Sequence, residues 1–207
     1  MVATPIGNLR DFSLRGIETL NESDLILCED TRKAKVLLKE FNIKTKCKSF
    51  HEFTNQKTME KYISYLKKGK CIALISDAGT PLISDPGYEI VKRAKEEKIQ
   101  VNPIPGPSSV ISALVASGLK INKFIFDGFP PRKSNELESY LKKFLFEKRT
   151  LVLFESPRRI KKLAQASLKI FGEKRRVCLA KDISKLHQKF FTGTVKSLLK
   201  QMHKDIN

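Results

Sequence analysis

A chain of 207 residues is long enough to bury a sizeable core and to form one large domain or two small lobes, and its pattern favours two lobes. Forty basic residues against 22 acidic give a formal net charge of +18, which points to a polyanionic partner, most simply RNA or DNA; lysines scattered over solvated helix faces are the other source of such charge. Four cysteines without a CxxC pair, no apolar stretch of membrane-spanning length and no basic flank before a hydrophobic leader exclude a disulfide scaffold, a membrane span and a secretory signal, and predict a soluble cytoplasmic protein.

The opening residues pass from a short apolar start through the turn at Thr4 to Asn8 into an amphipathic pattern with Leu14, Ile17 and Leu20. That is strand, loop, helix. Asp24 to Cys28 predicts a second strand, ending in Glu29, Asp30, Thr31 and Arg32 before a helix with Ala34, Val36, Leu37 and Leu38. Lys57 to Lys68 predicts a helix, and Cys71 to Ile75 a strand buried on both faces, with Cys28 and Cys71 as small core residues. This strand delivers the most informative segment of the chain. Its loop contains Asp77, Gly79, Pro81, Asp85, Pro86 and Gly87, residues that fix tight backbone paths and let a ligand approach the main chain closely.

Tyr88 to Lys98 then predicts a helix, Gln100 to Ile104 a strand, and Pro105 to Pro107 a rigid turn before a helix capped by Ser108 or Ser109. Free backbone donors at such a helix start can receive polar ligand groups. Past Gly118 the pattern restarts with Lys123 to Phe129, a loop with Pro130, Pro131 and Arg132, a helix around Glu136 to Phe146 and a strong strand at Thr150 to Phe154. The last strand ends in Glu155, Ser156, Pro157, Arg158 and Arg159, before a helix from Ile160 to Phe171 and a strand from Arg176 to Lys181. The expectation is an α/β protein of two α/β lobes, residues 1–118 and 119–207.

There is no GxGxxG after a strand, no GxxxxGK[ST] loop, no HExxH and no cysteine cluster, so dinucleotide, P-loop and zinc chemistry lose weight and no metal site is expected. His51 beside Glu52 lacks a fixed partner and reads as a surface or packing residue. Five loops, Thr4 to Asn8, Glu29 to Arg32, Asp77 to Asp85, Pro105 to Ser109 and Glu155 to Arg159, all follow predicted strands. In parallel sheets such loops gather where ligands bind. Carboxylates, arginines and main-chain donors together suit a cationic small molecule beside a polyanion, as in a nucleic-acid modifying enzyme.

TPIGNL with Asp11 after it, EDTR at 29–32, SDAGTPLISDPG at 76–87, PGPSS at 105–109 and FES at 154–156 together resemble the ribosomal RNA small-subunit cytidine 2′-O-methyltransferase family, within the tetrapyrrole-methylase-like group. The resemblance runs nearly end to end. It implies two α/β lobes with S-adenosylmethionine folded into the cleft between them, a homodimer, and small-subunit ribosomal RNA as substrate. By that resemblance Asp77, Ala78, Gly79, Thr80 and Ile83 form the first-lobe cofactor loop, Ser108 and Ser109 the helix start below it, Glu155 a second-lobe contact, and the Pro5 to Gly7 turn closes the pocket. Asp30, with Glu29 second, is the candidate to accept or orient the ribose hydroxyl proton; the alternative for either is a structural partnership with Arg32. Arg32, Arg132, Arg158, Arg159 and Lys185 are the candidate RNA contacts. The chain departs from the family pattern at Asp182 and Ile183 and after Lys185, and its second lobe is expected to be truncated at its end. Two other readings remain, a non-catalytic RNA-binding or ribosome-assembly protein on the same fold and a related methylase acting on a tetrapyrrole or a protein.

Overall fold

The computed structural model describes residues 1–204, so the last three residues of the expected second lobe lie outside the described residues. It divides into two compact units, Met1–Ser109 and Val110 onward. The division falls one residue into a helix, Ser109–Ala116, whereas the sequence pattern restarts after Gly118, where that helix has ended.

The first lobe alternates helices and strands: α1 (Leu14–Glu22), β1 (Leu25–Cys28), α2 (Thr31–Glu40), β2 (Cys47–Ser49), α3 (Gln56–Lys67), β3 (Ile72–Leu74) and α4 (Tyr88–Glu96), and α5 (Ser109–Ala116) begins at the lobe's last residue and belongs otherwise to the second unit. The strands form a parallel sheet in the order β2-β1-β3, with Ile26 opposite Cys47 on one side and Ala73 on the other. Single bridges extend the sheet, because Val2 pairs in parallel with both Ile75 and Ile104. The expected strand at Gln100 to Ile104 is thus reduced to one bridge, since Pro103 and Pro105 have no N–H to give a ladder. Cys71 precedes β3 and is exposed, its amide donating to the Asp24 carboxylate at 2.8 Å, so it is not the core residue that the sequence suggested.

All four residues of β1 are buried because its side chains serve two cores. Ile26 and Cys28 enter one with Leu20, Leu37, Leu38 and Ile75, under α1 and α2. Leu25 and Leu27 enter the other with Met59, Tyr62, Ile63 and Ile90, under α3 and α4. A buried aliphatic side chain of this kind contributes roughly 1.5–3 kcal/mol, so β1 anchors the lobe. The first three helices start on side-chain caps: Ser13 accepts from the Gly16 amide, Asp30 from Arg32 and Asn55 from Thr58.

The second lobe pairs β4 (Phe124–Phe126) with β5 (Thr150–Val152) in parallel and β6 (Arg176–Lys181) with β7 (Lys189–Thr194) in an antiparallel hairpin. Three helices accompany them: α6 (Ser134–Lys142), α7 (Ile160–Phe171) and α8 (Val195–Lys204). Leu137 and Leu141 pack with Leu153 and Leu163, while Val195, Leu198 and Leu199 pack with Val177, Leu179 and Phe191. Phe126 and Phe129 both close on Phe154 at the end of the parallel pair.

Candidate functional site

The loop after β3 is fastened to its neighbours by hydrogen bonds. Thr4 and Gly79 exchange two main-chain bonds of 2.9 and 3.0 Å, the Thr4 hydroxyl donates to the Ser76 carbonyl at 3.2 Å, and the Ser76 hydroxyl donates to the Gly79 carbonyl at 3.1 Å. Thr80 donates to the Pro107 carbonyl at 3.3 Å. Three of the loops expected from the sequence therefore meet at one carboxyl edge of the first-lobe sheet. Pro5, Ile6 and Gly7 continue from Thr4 into a short turn that Asn8 caps by accepting from the Arg10 amide. Ser108 stands just before α5, and Ser109 is its first residue.

The backbone of this loop is strained. Leu82 and Ser84 have φ of 72° and 63°, the left-handed region that costs a residue with a Cβ about 1–2 kcal/mol. Between them Ile83 is left 43% exposed. Gly79 has φ of +86°, and a Cβ there would come to 3.3 Å from Ile6; at Gly87, φ +136°, it would collide with Leu74 and Leu82 at 2.7 Å. Strain held in place by this many ties is characteristic of ligand-binding segments.

Four carboxylates share the same edge. Asp77 accepts from the Asp30 amide at 3.1 Å and from Lys33 Nζ at 2.6 Å. Asp30 caps α2 and is gripped by Arg32, whose Nε and outer nitrogen lie at 3.1 and 2.8 Å, and these bonds hold its carboxyl far below the usual carboxylate range. Asp85 behaves oppositely. Burial, then the charge of Glu29, push its proton affinity up to about 6 against a hydrogen bond from Ser76, with Asp77 adding a smaller push. Beneath them, burial and the neighbouring Cys47 push the Cys28 thiol up to about 12.

In the second lobe Glu155 follows β5 with its side chain only 3% exposed. Its Oε1 accepts from the Ser156 amide at 2.7 Å; its Oε2 lies 3.1 Å from the Arg159 guanidinium outside hydrogen-bond geometry, and is left without a hydrogen-bond partner. Arg159 instead donates to the Pro130 and Pro131 carbonyls at 3.1 and 2.8 Å. Arg132 and Arg158 are exposed. Lys185 pairs with Asp182 at 3.3 Å, in a hairpin loop where Asp182 and Ser184 have positive φ.

Within the first lobe the structure thus brings together Pro5, Gly7, Glu29, Asp30, Arg32, Asp77, Ala78, Gly79, Thr80, Ile83, Ser108 and Ser109. Sequence reasoning did not place Lys33, Ser76 or Asp85 among the site residues. Asp85 carried a signal, the second Ser/Asp pair of the SDAGTPLISDPG segment; the role of Lys33 depends on how α2 is set beside the loop. His51 is exposed, its amide and carbonyl both bonded to Thr54. Among the described residues no three His, Cys, Asp or Glu side chains are grouped to hold a metal, and no helix is long and apolar enough to cross a membrane.

Residues 1–199 match the family model described as Tetrapyrrole (Corrin/Porphyrin) Methylases. A ribosomal RNA small subunit methyltransferase I from Thermotoga maritima is 45% identical over 204 residues, covering 99% of this chain and 91% of the relative. The protein of the same name from Escherichia coli O157:H7 is 40% identical over 207 residues, 100% of this chain and 72% of the relative. Among solved structures, a cobalt precorrin-4 methyltransferase superposes with a TM-score of 0.69 at 17% identity, covering 99% of this chain and 88% of that one. A uroporphyrin-III-C-methyltransferase from Thermus thermophilus gives 0.64 at 17%, with 95% and 84% covered. These two show a shared fold. Taken with the parallel first-lobe sheet and its strained edge loop, the matches show that the chain is a methyltransferase belonging to the tetrapyrrole methylase family and, within it, to the ribosomal RNA small subunit methyltransferase I proteins, with S-adenosylmethionine as methyl donor.

Proposed function

We propose that the chain transfers a methyl group from S-adenosylmethionine to the ribose 2′-hydroxyl of a cytidine in small-subunit ribosomal RNA. The observation that carries this reading is the Asp77 to Gly87 loop, strained, tied at four points and set among carboxylates, in a chain whose relatives are named for acting on that RNA. The net charge of +18 supports a polyanionic substrate.

The residues present fit the cofactor. Gly79 leaves a concavity against Ile6 that a Cβ would fill, Ile83 offers an exposed apolar surface, and the carboxylate edge suits a cation. When bound, S-adenosylmethionine supplies an electrophilic methyl on a sulfonium. The protein's task is to align the hydroxyl with that carbon and to accept its proton. Asp30, clamped as an anion by Arg32, is suited to setting the start of α2 rather than taking a proton. Glu29 precedes it in the chain and acts on Asp85, which has the proton affinity that base catalysis near neutrality favours. We assign proton acceptance to this pair and positioning to Asp30.

Arg32, Arg132, Arg158 and Lys185 are proposed phosphate contacts. Arg159 spends its guanidinium on the Pro130 and Pro131 carbonyls and is proposed as the scaffold of that loop. A cytoplasmic homodimer is part of the same reading, the dimer being testable by light scattering.

The test is transfer from labelled S-adenosylmethionine to unmethylated small ribosomal subunits, with the modified nucleotide mapped. Label on one cytidine ribose is expected. Label on a base overturns the ribose assignment, and subunit binding without any transfer favours the non-catalytic RNA-binding alternative.

A further inference from the structure

Strand β2 is the edge of the first-lobe sheet, pairing only with β1 among the described residues. From Ile43 to Lys48 its side chains and those just before it alternate, and Ser49 after them is exposed as well. Ile43, Thr45 and Cys47 turn toward the core, Thr45 donating to the Leu20 carbonyl at 2.7 Å and Cys47 packing against the first cluster. Lys44, Lys46 and Lys48 are all exposed. Among the described residues none of the three makes an ion pair, whereas Lys33, Lys67, Lys70, Lys169 and Lys196 each hold a carboxylate. Between residues 41 and 59 the only acidic residue is Glu52, against four lysines.

An extended backbone sets the Cα atoms of alternate residues about 6.6 Å apart, of the same order as the separation of successive phosphates on an extended nucleic-acid strand. The row also has a direction. Ser49 pairs with Cys28, and the Phe50 amide donates to the Cys28 carbonyl at 2.8 Å, so the lysines lead to the level of Glu29 and Asp30. Immediately beyond, the His51 amide and the Thr54 hydroxyl close a tight turn, and at its tip Phe53 is 95% exposed, more than any other aromatic among the described residues.

We propose that β2 and the following turn form a track for a single-stranded segment of the RNA, with Lys44, Lys46 and Lys48 on successive phosphates and Phe53 stacked on an unpaired base. Bases stack on aromatic rings with little regard to sequence, so the track delivers the strand to the site while recognition occurs elsewhere. Lysines on an edge strand also deter pairing with a second copy. That role does not call for an exposed phenyl ring at the end of the row. The inference rests on the proposed RNA substrate.

The test is equilibrium binding of the full chain to unmethylated small-subunit ribosomal RNA, naked and in the subunit, across a series of salt concentrations. K44Q/K46Q/K48Q is expected to weaken binding and to lower the slope of log K against log salt by about 2, at about 0.7 per single-strand phosphate. K92Q/K95Q/K98Q, which removes the same charge from α4 and its end, is expected to leave the slope nearer that of the parent. F53A is expected to weaken binding about tenfold at fixed salt without changing the slope, with F53W restoring it. Binding of S-adenosylmethionine by each variant checks that the lobe is folded. Equal slopes for the two triple variants overturn the track, as does self-association of the β2 variant with RNA affinity unchanged, and equal affinities for F53A and F53W overturn the stacking contact. If the parent chain itself does not bind this RNA, the proposed substrate fails and the track with it.

Discussion

The two lobes bury their strands differently. β1 of the first lobe is buried along its whole length between two cores, while β5 of the second is only half-buried throughout and β4 exposes Phe124. A strand held from both faces is a rigid platform, and the first lobe uses it to support a loop with two left-handed non-glycine residues and a crowd of carboxylates. The second lobe relies more on polar fastenings at strand ends. Glu155 and Arg159 tie the segment after β5 to Pro130 and Pro131, and Tyr140 donates to Asp127 at 2.6 Å just after β4. The strained loop after β3 thus stands where apolar burial can support it.

The largest contrast between the lobes is expected at two glycines. Gly87→Ala puts a Cβ 2.7 Å from Leu74 and Leu82 and should cost about 3 kcal/mol in urea unfolding, with loss of S-adenosylmethionine binding. Gly172→Ala, at φ +81° with nothing within 4 Å, should cost only about 1 kcal/mol from backbone strain. Similar losses at both would break the comparison.

Next in size is Glu155→Ala, which leaves Arg159 without its ion-pair partner and should destabilise the chain by about 2 kcal/mol. Thermal unfolding checks this, and a change below 0.5 kcal/mol would remove the tie from the account of the second lobe.

Asp85→Asn should act in the opposite direction. Because the folded state raises this carboxyl to about 6 from 3.8, it binds the proton more tightly than the unfolded chain does, and stability is lost as pH rises between those values. The variant should therefore match the parent below about pH 4 and exceed it above pH 6 by on the order of 1 kcal/mol, after allowing for solvent screening of a half-buried group. Its methyl transfer should fall, with loss of the parent's acidic limb near pH 6. The smallest effect is expected for Asp30→Asn, which keeps the cap and frees Arg32. RNA-bound turnover should be reduced far less than in Asp85→Asn; the reverse order would make Asp30 the base.

The first lobe was the more legible in sequence because continuous apolar runs such as Leu25 to Cys28 have one comfortable place, a strand covered on both faces. Helix α7 was equally clear from its apolar spacing, and its observed bounds, Ile160–Phe171, are those expected. β2 escaped because its lysine alternation reads as a polar connection, and its status as a strand depends on the β1 edge beside it. β7 and α8 escaped for a related reason, their apolar residues being arranged against one another and α7 rather than in a continuous run. At the site, the loop residues were legible from residue type and motif. The clamp on Asp30 and the raised proton affinity of Asp85 were not, since both depend on which groups tertiary packing places beside each carboxylate.

The elevated thiol of Cys28 has a practical consequence. Cys28 is 2% exposed and burial pushes its thiol up, so it resists alkylation in the folded state, while Cys71 stands open to reagent and Cys47 and Cys178 are partly covered. The chain therefore carries its own chemical stopwatch: the rate at which a maleimide appears on the peptide that holds Cys28, followed apart from the other three cysteines, reports how often the core beneath the first-lobe sheet comes open.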